Sequence, residues 1–298
     1  MTIIQRQEDV TEAALAVMAR TADPRLREIM TSLVRHLHAF VREVRLTEAE
    51  FQATTAILNE MGKLTSDTHN EPVLMSGSLG VSSLVCLLNN GDNGQTETTQ
   101  SLLGPFWRMH APRVPNGGSI VRSDTPGPTL FVSLRFQDRE GRPIAGAEVD
   151  VWHSSPVGLY ENQDPEQADM NLRGKFTTDE EGRIRFRSVR PAGYPIPTDG
   201  VVGRLLKAQN RHPYRPAHVH ALAFKEGHKT LISQIYADDD PNLETDVQFG
   251  VTRALVGSFQ RHDEPHRSEP DVPLPWYSLD HTLVMEPGEA KLPRPPIK

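Results

Sequence analysis

AHVHALAF, running from Ala217 to Phe224, is an unbroken strand-like stretch with two histidines set one residue apart. Side chains alternate across a strand, so His218 and His220 project from the same face of one rigid element. Four runs of similar length share its character: TLFVSLRF (Thr129 to Phe136), AEVDVW (Ala147 to Trp152), RIRFRSV (Arg183 to Val189) and KTLISQIYA (Lys229 to Ala237). In the first, Leu130, Val132, Leu134 and Phe136 alternate with their neighbours as in a half-buried strand. Short strands spaced by Gly, Pro and Asp turns predict a β-sandwich. From Glu264 the chain is proline-rich, and the expectation is a tail wrapped over the surface in extended form.

Upstream the period becomes helical. Leu26, Ile29, Met30, Leu33, Leu37, Phe40, Val41 and Val44 recur at three- and four-residue intervals and make one apolar stripe. Pro24 suits the first turn of that helix. Thr47 followed by Glu50 is a capping-box pattern opening a second helix through Phe51, Ile57, Leu58 and Met61. A third apolar segment spans about Pro72 to Leu88, interrupted by Ser76, Gly77, Ser78 and Gly80, and a polar stretch follows from Asn89 to Gln100. The predicted architecture is mainly β with a helical N-terminal part. Residues 1–102 form a helical domain, and residues 103–298 form a β-sandwich domain that carries the chemistry.

The 298 residues, 37% of them hydrophobic, suffice for a packed core. A formal net charge of -7 disfavours a nucleic-acid backbone as partner. The single cysteine, Cys86, excludes an intramolecular disulfide and a Cys-based zinc site. In its apolar context it reads as a small buried hydrophobe. No apolar stretch approaches the about 20 residues of a membrane span. The N-terminus lacks the basic flank and apolar core of a signal peptide, so the expected location is the cytoplasm.

Two histidines on one strand face are half a metal site. A 2-His-1-carboxylate set would favour Fe(II), with Asp150, Glu161 or Asp199 as candidate third ligand. A three-histidine set would favour zinc. A third option draws on tyrosine, of which the chain has five. Tyr160 ends VGLY just past a strand, and Tyr194 lies in the turn-rich PAGYPIPTDG. Two phenolates are hard anionic donors that stabilise Fe(III), and the metal in turn lowers each phenol's pKa below its usual value of about 10. His153, in VWHSS, reads as a supporting residue rather than a ligand.

Five segments bear on this choice: ETTQSLLGPFW, GRPIAGAEVDVWHSSPVGLY, NLRGKFTTDEEG, VRPAGYPIPTDGVVGRLL and RHPYRPAHVH. They stand in the order in which the intradiol ring-cleavage dioxygenases, the catechol and hydroxyquinol 1,2-dioxygenases, carry them. The chain from Leu103 to about Phe259 resembles that family, and GSLGVSSLVCLLNN upstream resembles its dimerisation and linker helices. The resemblance implies Fe(III) held by Tyr160, Tyr194, His218 and His220, with Tyr194 leaving when substrate chelates. It implies that Arg215 stabilises charge beside the substrate ring and that Gln234 stands near it. Leu74, Gly77, Gly104, Pro105, Phe106, Ile196 and Pro197 would line the pocket. It further implies a small aromatic diol or triol and O2 as substrates, a homodimer through the N-terminal helices, and a phospholipid at that interface.

The GPF at Gly104-Pro105-Phe106 and the stretch TDVQFGVTRALVGSF (Thr245 to Phe259) resemble the branch acting on hydroxyquinol, benzene-1,2,4-triol. That branch often has Leu-Ser-Asp where this chain has Met75-Ser76-Gly77, so a polar contact to the third hydroxyl is missing there. Catechol or a substituted catechol is the alternative. GRPIAGAEVDVW also occurs in transthyretin-like modules that only bind. Such a module has no reason to hold Tyr160, Tyr194, Arg215, His218 and His220 together.

Overall fold

The computed structural model describes residues 3–66, 69–91 and 98–296; most of the polar stretch after Asn89 lies outside them. Two compact units divide the chain, Met1–Glu60 and Met61–Lys298.

The first unit holds α1 (Gln7–Met18), α2 (Pro24–Val44) and most of α3 (Glu48–Leu64). Pro24 opens α2, and the Asp23 carboxylate accepts from the backbone N–H groups of Arg25 and Leu26 at 2.8 and 3.0 Å. The capping box read at α3 is present: Thr47 N–H donates to Glu50 at 2.8 Å and Glu50 N–H returns to Thr47 Oγ1 at 3.3 Å. α1 is tied to α2 by Thr11, whose Oγ1 lies 2.9 Å from His38 Nδ1 and accepts from Arg42 at 2.9 Å. The stripe on α2 is uncovered. Leu33 is 46% exposed and Phe40 51%.

The second unit begins with two helices where the sequence suggested one segment: α4 (Glu71–Ser78) and α5 (Val81–Asn90), bent by 75°. Gly80 makes the corner with φ +74, a conformation that glycine adopts without a Cβ penalty. Both helices belong to the same compact unit as the sheets.

The strands follow in order: β1 (Thr129–Gln137), β2 (Glu148–His153), β3 (Arg173–Thr177), β4 (Arg183–Val189) and β5 (Tyr194–Pro195). After α6 (Val201–Ala208) come β6 (Tyr214–Arg215), β7 (His218–Phe224), β8 (Leu231–Ala237), β9 (Val256–Gly257), β10 (Phe259–His262) and β11 (Trp276–Val284). One sheet has the order β10-β11-β1-β4, the other β3-β2-β7-β8-β9, and β5 and β6 form a separate ribbon. The sheets of the second unit form a sandwich, with Leu130, Val132, Leu134 and Phe136 of β1 packed in one core with Val149 and Val151 of β2 and Val219, Ala221 and Ala223 of β7.

Two expectations need correction. The region after Glu264 is not only an extended wrap, because β11 pairs parallel to β1 along Leu130↔Tyr277 through Gln137↔Val284. Its Tyr277, Leu279 and Leu283 alternate into the core, a period-two signal carried by WYSLDHTLV and masked by the flanking prolines. The loop VRPAGYPIPTDGVVGRLL also contains a helix, α6, which buries Val202 and Leu206. No single helix among the described residues is long and apolar enough to cross a membrane.

Candidate active site

The five-stranded sheet turns Val149, Val151, Val219, Ala221 and Ala223 into the core, so alternation puts Asp150, Trp152, His218, His220 and Leu222 on its other face. Register then sets Trp152 and Gln234 on either side of His220, and Tyr236 beside His218. Six of the seven β7 residues are buried because both faces are covered.

The two imidazoles are held in defined states. His218 Nδ1 lies 2.7 Å from the Pro216 carbonyl, which can only accept, so the proton sits on Nδ1 and Nε2 keeps its lone pair. That Nε2 is 3.1 Å from Nε2 of His220. The His220 ring is stacked on Trp152 at 4.5 Å with planes 8° apart, and its Nδ1 has no hydrogen-bond partner among the described residues. Burial lowers the His218 pKa to about 3, and burial together with the neighbouring His218 drives that of His220 well below the usual value. Both rings are neutral, and their Nε2 atoms face each other.

Two buried phenols close the group. Tyr160 follows β2 through a turn in which Gly158 has φ +81, and a Cβ there would lie 3.0 Å from Tyr194 Cβ. Only glycine lets the two loops approach this closely. The Tyr160 and Tyr194 hydroxyls are 3.4 Å apart. The Tyr194 ring lies 5.6 Å from that of His218, and the Tyr160 ring 6.5 Å from that of His220. Burial raises both phenol pKa values, and for Tyr160 the facing Tyr194 adds to it.

Arg215 is the fixed charge of the site. It sits on β6, paired with Tyr194 on β5, and is 3% exposed. Asp246 accepts from its Nε and Nη2, both at 3.0 Å, while Gln234 Oε1 accepts from Nη1 at 2.9 Å and the Tyr236 hydroxyl from Nη2 at 2.6 Å. Burial pushes the Asp246 carboxyl up, but Arg215 outweighs it and the net shift is downward, so the pair is ionised. Gln234 also donates to the Leu102 carbonyl, which ties Arg215 to the segment leading into Gly104.

That segment forms a wall. Gly104 has φ +72, and a Cβ on it would meet His220 Cε1 at 3.2 Å. Phe106 stacks on Tyr160 with ring centroids 4.3 Å apart. Arg173, 2% exposed, donates to the Phe106 carbonyl at 2.6 Å and to Glu161 at 2.7 Å. Ile196 packs with Val202, Leu206 and Val247, and Leu74 and Met75 pack against them. Pro105 and Pro197 face solvent.

Among the described residues no three or more His, Cys, Asp or Glu stand together to hold a metal. The carboxylates weighed from sequence are engaged elsewhere or exposed. Asp150 accepts from Trp107 Nε1 at 3.2 Å and pairs with Lys175 at 3.1 Å. Glu161 pairs with Arg173 and Arg108, and Asp199 is exposed. His153 spans Ser154 O and Ser188 Oγ, each at 2.7 Å. The donors left facing one another are two neutral imidazoles and two phenols. Their four donor atoms converge, and a cation held among them would take their lone pairs and lower the phenol pKa values.

Residues 103–273 match the family profile described as Dioxygenase, and residues 23–97 match Catechol dioxygenase N terminus. Hydroxyquinol 1,2-dioxygenase of Rhizobium sp. (strain MTP-10005) is 41% identical over 283 residues, covering 94% of this chain and 95% of that protein. The chain belongs to the intradiol ring-cleavage dioxygenase family. This intradiol dioxygenase is also 36% identical to catechol 1,2-dioxygenase of Candida albicans, over 92% of its length and 91% of the relative. The crystal structure of hydroxyquinol 1,2-dioxygenase from Pseudomonas putida DLL-E4 superposes with a TM-score of 0.86 at 35% identity, covering 95% of this chain and 99% of that one.

Sequence reading missed Trp152, Tyr236, Asp246 and Arg173 as parts of this dioxygenase site. Tyr236 was within reach, being two residues from Gln234 on the same strand face. Asp246 had no local signal. It meets Arg215 across 31 residues of chain.

Proposed function

We propose that the chain is an Fe(III)-dependent intradiol dioxygenase that opens an aromatic ring between adjacent hydroxyl-bearing carbons, with hydroxyquinol as its preferred substrate. The product would be 3-hydroxy-cis,cis-muconate, the tautomer of maleylacetate. The observation that carries this reading is the convergence of two buried phenols and two neutral imidazoles beside a buried arginine. Tyr160, Tyr194, His218 and His220 would hold the iron. When bound, Fe(III) supplies a Lewis-acidic centre that draws electron density from a chelated diolate and makes a ring carbon reactive toward O2.

The chain's own residues do the rest. Tyr194 would hold the iron as a phenolate and would be the base that takes a proton from an incoming hydroxyl. Arg215 lies in the paired position across the β5–β6 ribbon and offers a preorganised positive field where charge accumulates on the oxygenated ring. Gln234, Tyr236 and Asp246 fix that guanidinium, so no reorganisation is needed as charge develops. Trp152 and the Pro216 carbonyl orient the two imidazoles. Phe106 and Ile196 exclude water, and Gly104 leaves room for a planar ring.

The Gly104-Pro105-Phe106 segment and the relatives named hydroxyquinol 1,2-dioxygenase favour the triol, and catechol is the second reading on the likeness to the Candida enzyme. The uncovered stripe on α2 supports a homodimer through the N-terminal helices, with a phospholipid among them. Visible spectroscopy of iron-loaded protein tests the ligand set. The wild type should show a phenolate-to-iron band that Tyr194→Phe shifts and His218→Ala abolishes, and a colourless wild-type complex would overturn it.

A further inference from the structure

The sheet face that carries the imidazoles continues past them. Trp152 stands opposite His220, and the next two pairs on that face, Asp150↔Leu222 and Glu148↔Phe224, line a cleft of about 340 Å³. Trp107, Met109 and Ala111 line it from the segment after Phe106, and Leu292 of the proline-rich tail adds to the apolar wall. The tail is tied down beside it, because Lys291 N–H donates to Thr230 Oγ1 at 3.0 Å. Tyr160, Tyr194, His218 and His220 do not line this cleft. The two sites nevertheless share a wall: Trp107 and Leu222 pack in one buried cluster with Phe106, Trp152, Tyr160 and Tyr194.

The chemistry of the cleft narrows its ligand. Its Asp, Glu, Lys and Arg side chains are two carboxylates and two cations that pair with one another. Glu148 pairs with Arg113, and Lys175 Nζ lies 3.1 Å from Asp150 Oδ1 and 3.9 Å from Glu148 Oε2. These charges cancel, so no net field holds an ion, and the two carboxylates oppose an anionic ligand. An ammonium has three N–H donors, and with two carboxylates beside it Lys175 keeps one for a neutral oxygen. Its side chain is 22% exposed, within reach of a ligand. The indole of Trp107, the ring of Phe224 and the side chains of Met109, Leu222 and Leu292 suit a flat apolar body.

We propose that this cleft is a second binding site, for a neutral hydroxylated aromatic ring, set against the wall of the phenol–imidazole site. The ring packs among the apolar side chains and its hydroxyl oxygen accepts from Lys175. A molecule held there rests on Trp107, whose neighbour Phe106 stacks on Tyr160.

The test soaks crystals of the iron-loaded protein under argon in 4-bromophenol, which is neutral at pH 7 and marks its place by anomalous scattering. The expected result is a bromine peak in the cleft, separate from any peak among the four proposed iron ligands. Ala111→Leu, which fills the cleft from its wall, should abolish the cleft peak alone. In solution, NMR titration of the same phenol should show one binding event fewer in Ala111→Leu than in wild type. Lys175→Met should weaken that event about tenfold, the worth of a hydrogen bond to a charged donor, and Leu292→Asp on the half-exposed tail should weaken it too. A bromine peak confined to the iron-ligand cluster would overturn the proposal, as would titrations that none of the three variants alters. A colourless iron complex that still binds the phenol in the cleft would overturn the ring-opening reading and leave this second site standing.

Discussion

Removing Arg215 should cost both stability and rate, and the two losses can be separated. The guanidinium and Asp246 are 3% and 2% exposed at the side chain and share two contacts at 3.0 Å. Arg215→Met therefore strands a buried carboxylate, which costs about 3–5 kcal/mol when one partner of a buried pair is removed. The double change Arg215→Met with Asp246→Asn removes that charge. The two N–H groups of Gln248 and Gly250 bond separate oxygens of Asp246, and the asparagine oxygen can still accept from one of them, so part of the stability should return. The rate should not return. A preorganised donor aimed at developing charge is worth about 2.7–4 kcal/mol of barrier, or about two to three orders of magnitude in kcat. Urea unfolding of wild type, both single variants and the double variant gives the first quantity, and oxygen uptake under saturating diol gives the second. A double variant that recovers both stability and kcat would refute the electrostatic role, leaving Arg215 as scaffold. A single variant as stable as wild type would refute the buried-pair argument.

Other outcomes follow from particular contacts. His153 is fully buried and burial lowers its pKa to about 4, against about 6.5 unfolded. The unfolded chain therefore binds the extra proton first, and His153 makes stability fall as pH drops from about 6.5 to about 4, by about 3 kcal/mol in all; His153→Gln should flatten that part of an acid-unfolding profile. Gly250→Ala would set a Cβ 2.7 Å from the Tyr236 hydroxyl and 2.8 Å from Arg215 Nη2, so kcat should fall at least tenfold while Gly62→Ala, with nothing within 4 Å, leaves it unchanged. Leu33→Glu on the uncovered face of α2 should shift the protein from dimer to monomer in analytical ultracentrifugation, whereas Arg25→Glu at the exposed start of the same helix should not.

The sandwich was legible because β1, β2, β4, β7 and β8 carry period-two patterns bounded by turn residues. β11 was hidden because its alternation includes Asp280 and His281 and lies between prolines. α6 was hidden because eight residues inside a Gly- and Pro-rich loop give too short a period to read. In the site, His218 and His220 announced themselves by spacing alone, whereas Tyr160 and Tyr194 were one ligand option among three until the family resemblance favoured them. Nothing local distinguishes a phenol that meets a histidine across the fold from one in a core. The network around Arg215 was illegible for the same reason. Tyr236 reaches it by strand register, and Asp246 by a loop whose course no local pattern encodes.

The most direct test of the account is product analysis after turnover of iron-loaded protein with benzene-1,2,4-triol under isotopically labelled O2. The account predicts a ring-opened dicarboxylate, 3-hydroxy-cis,cis-muconate or its tautomer, that carries both atoms of one O2, with no external reductant consumed. A semialdehyde product, from cleavage beside the diol, would contradict it, as would a product containing one labelled atom or none.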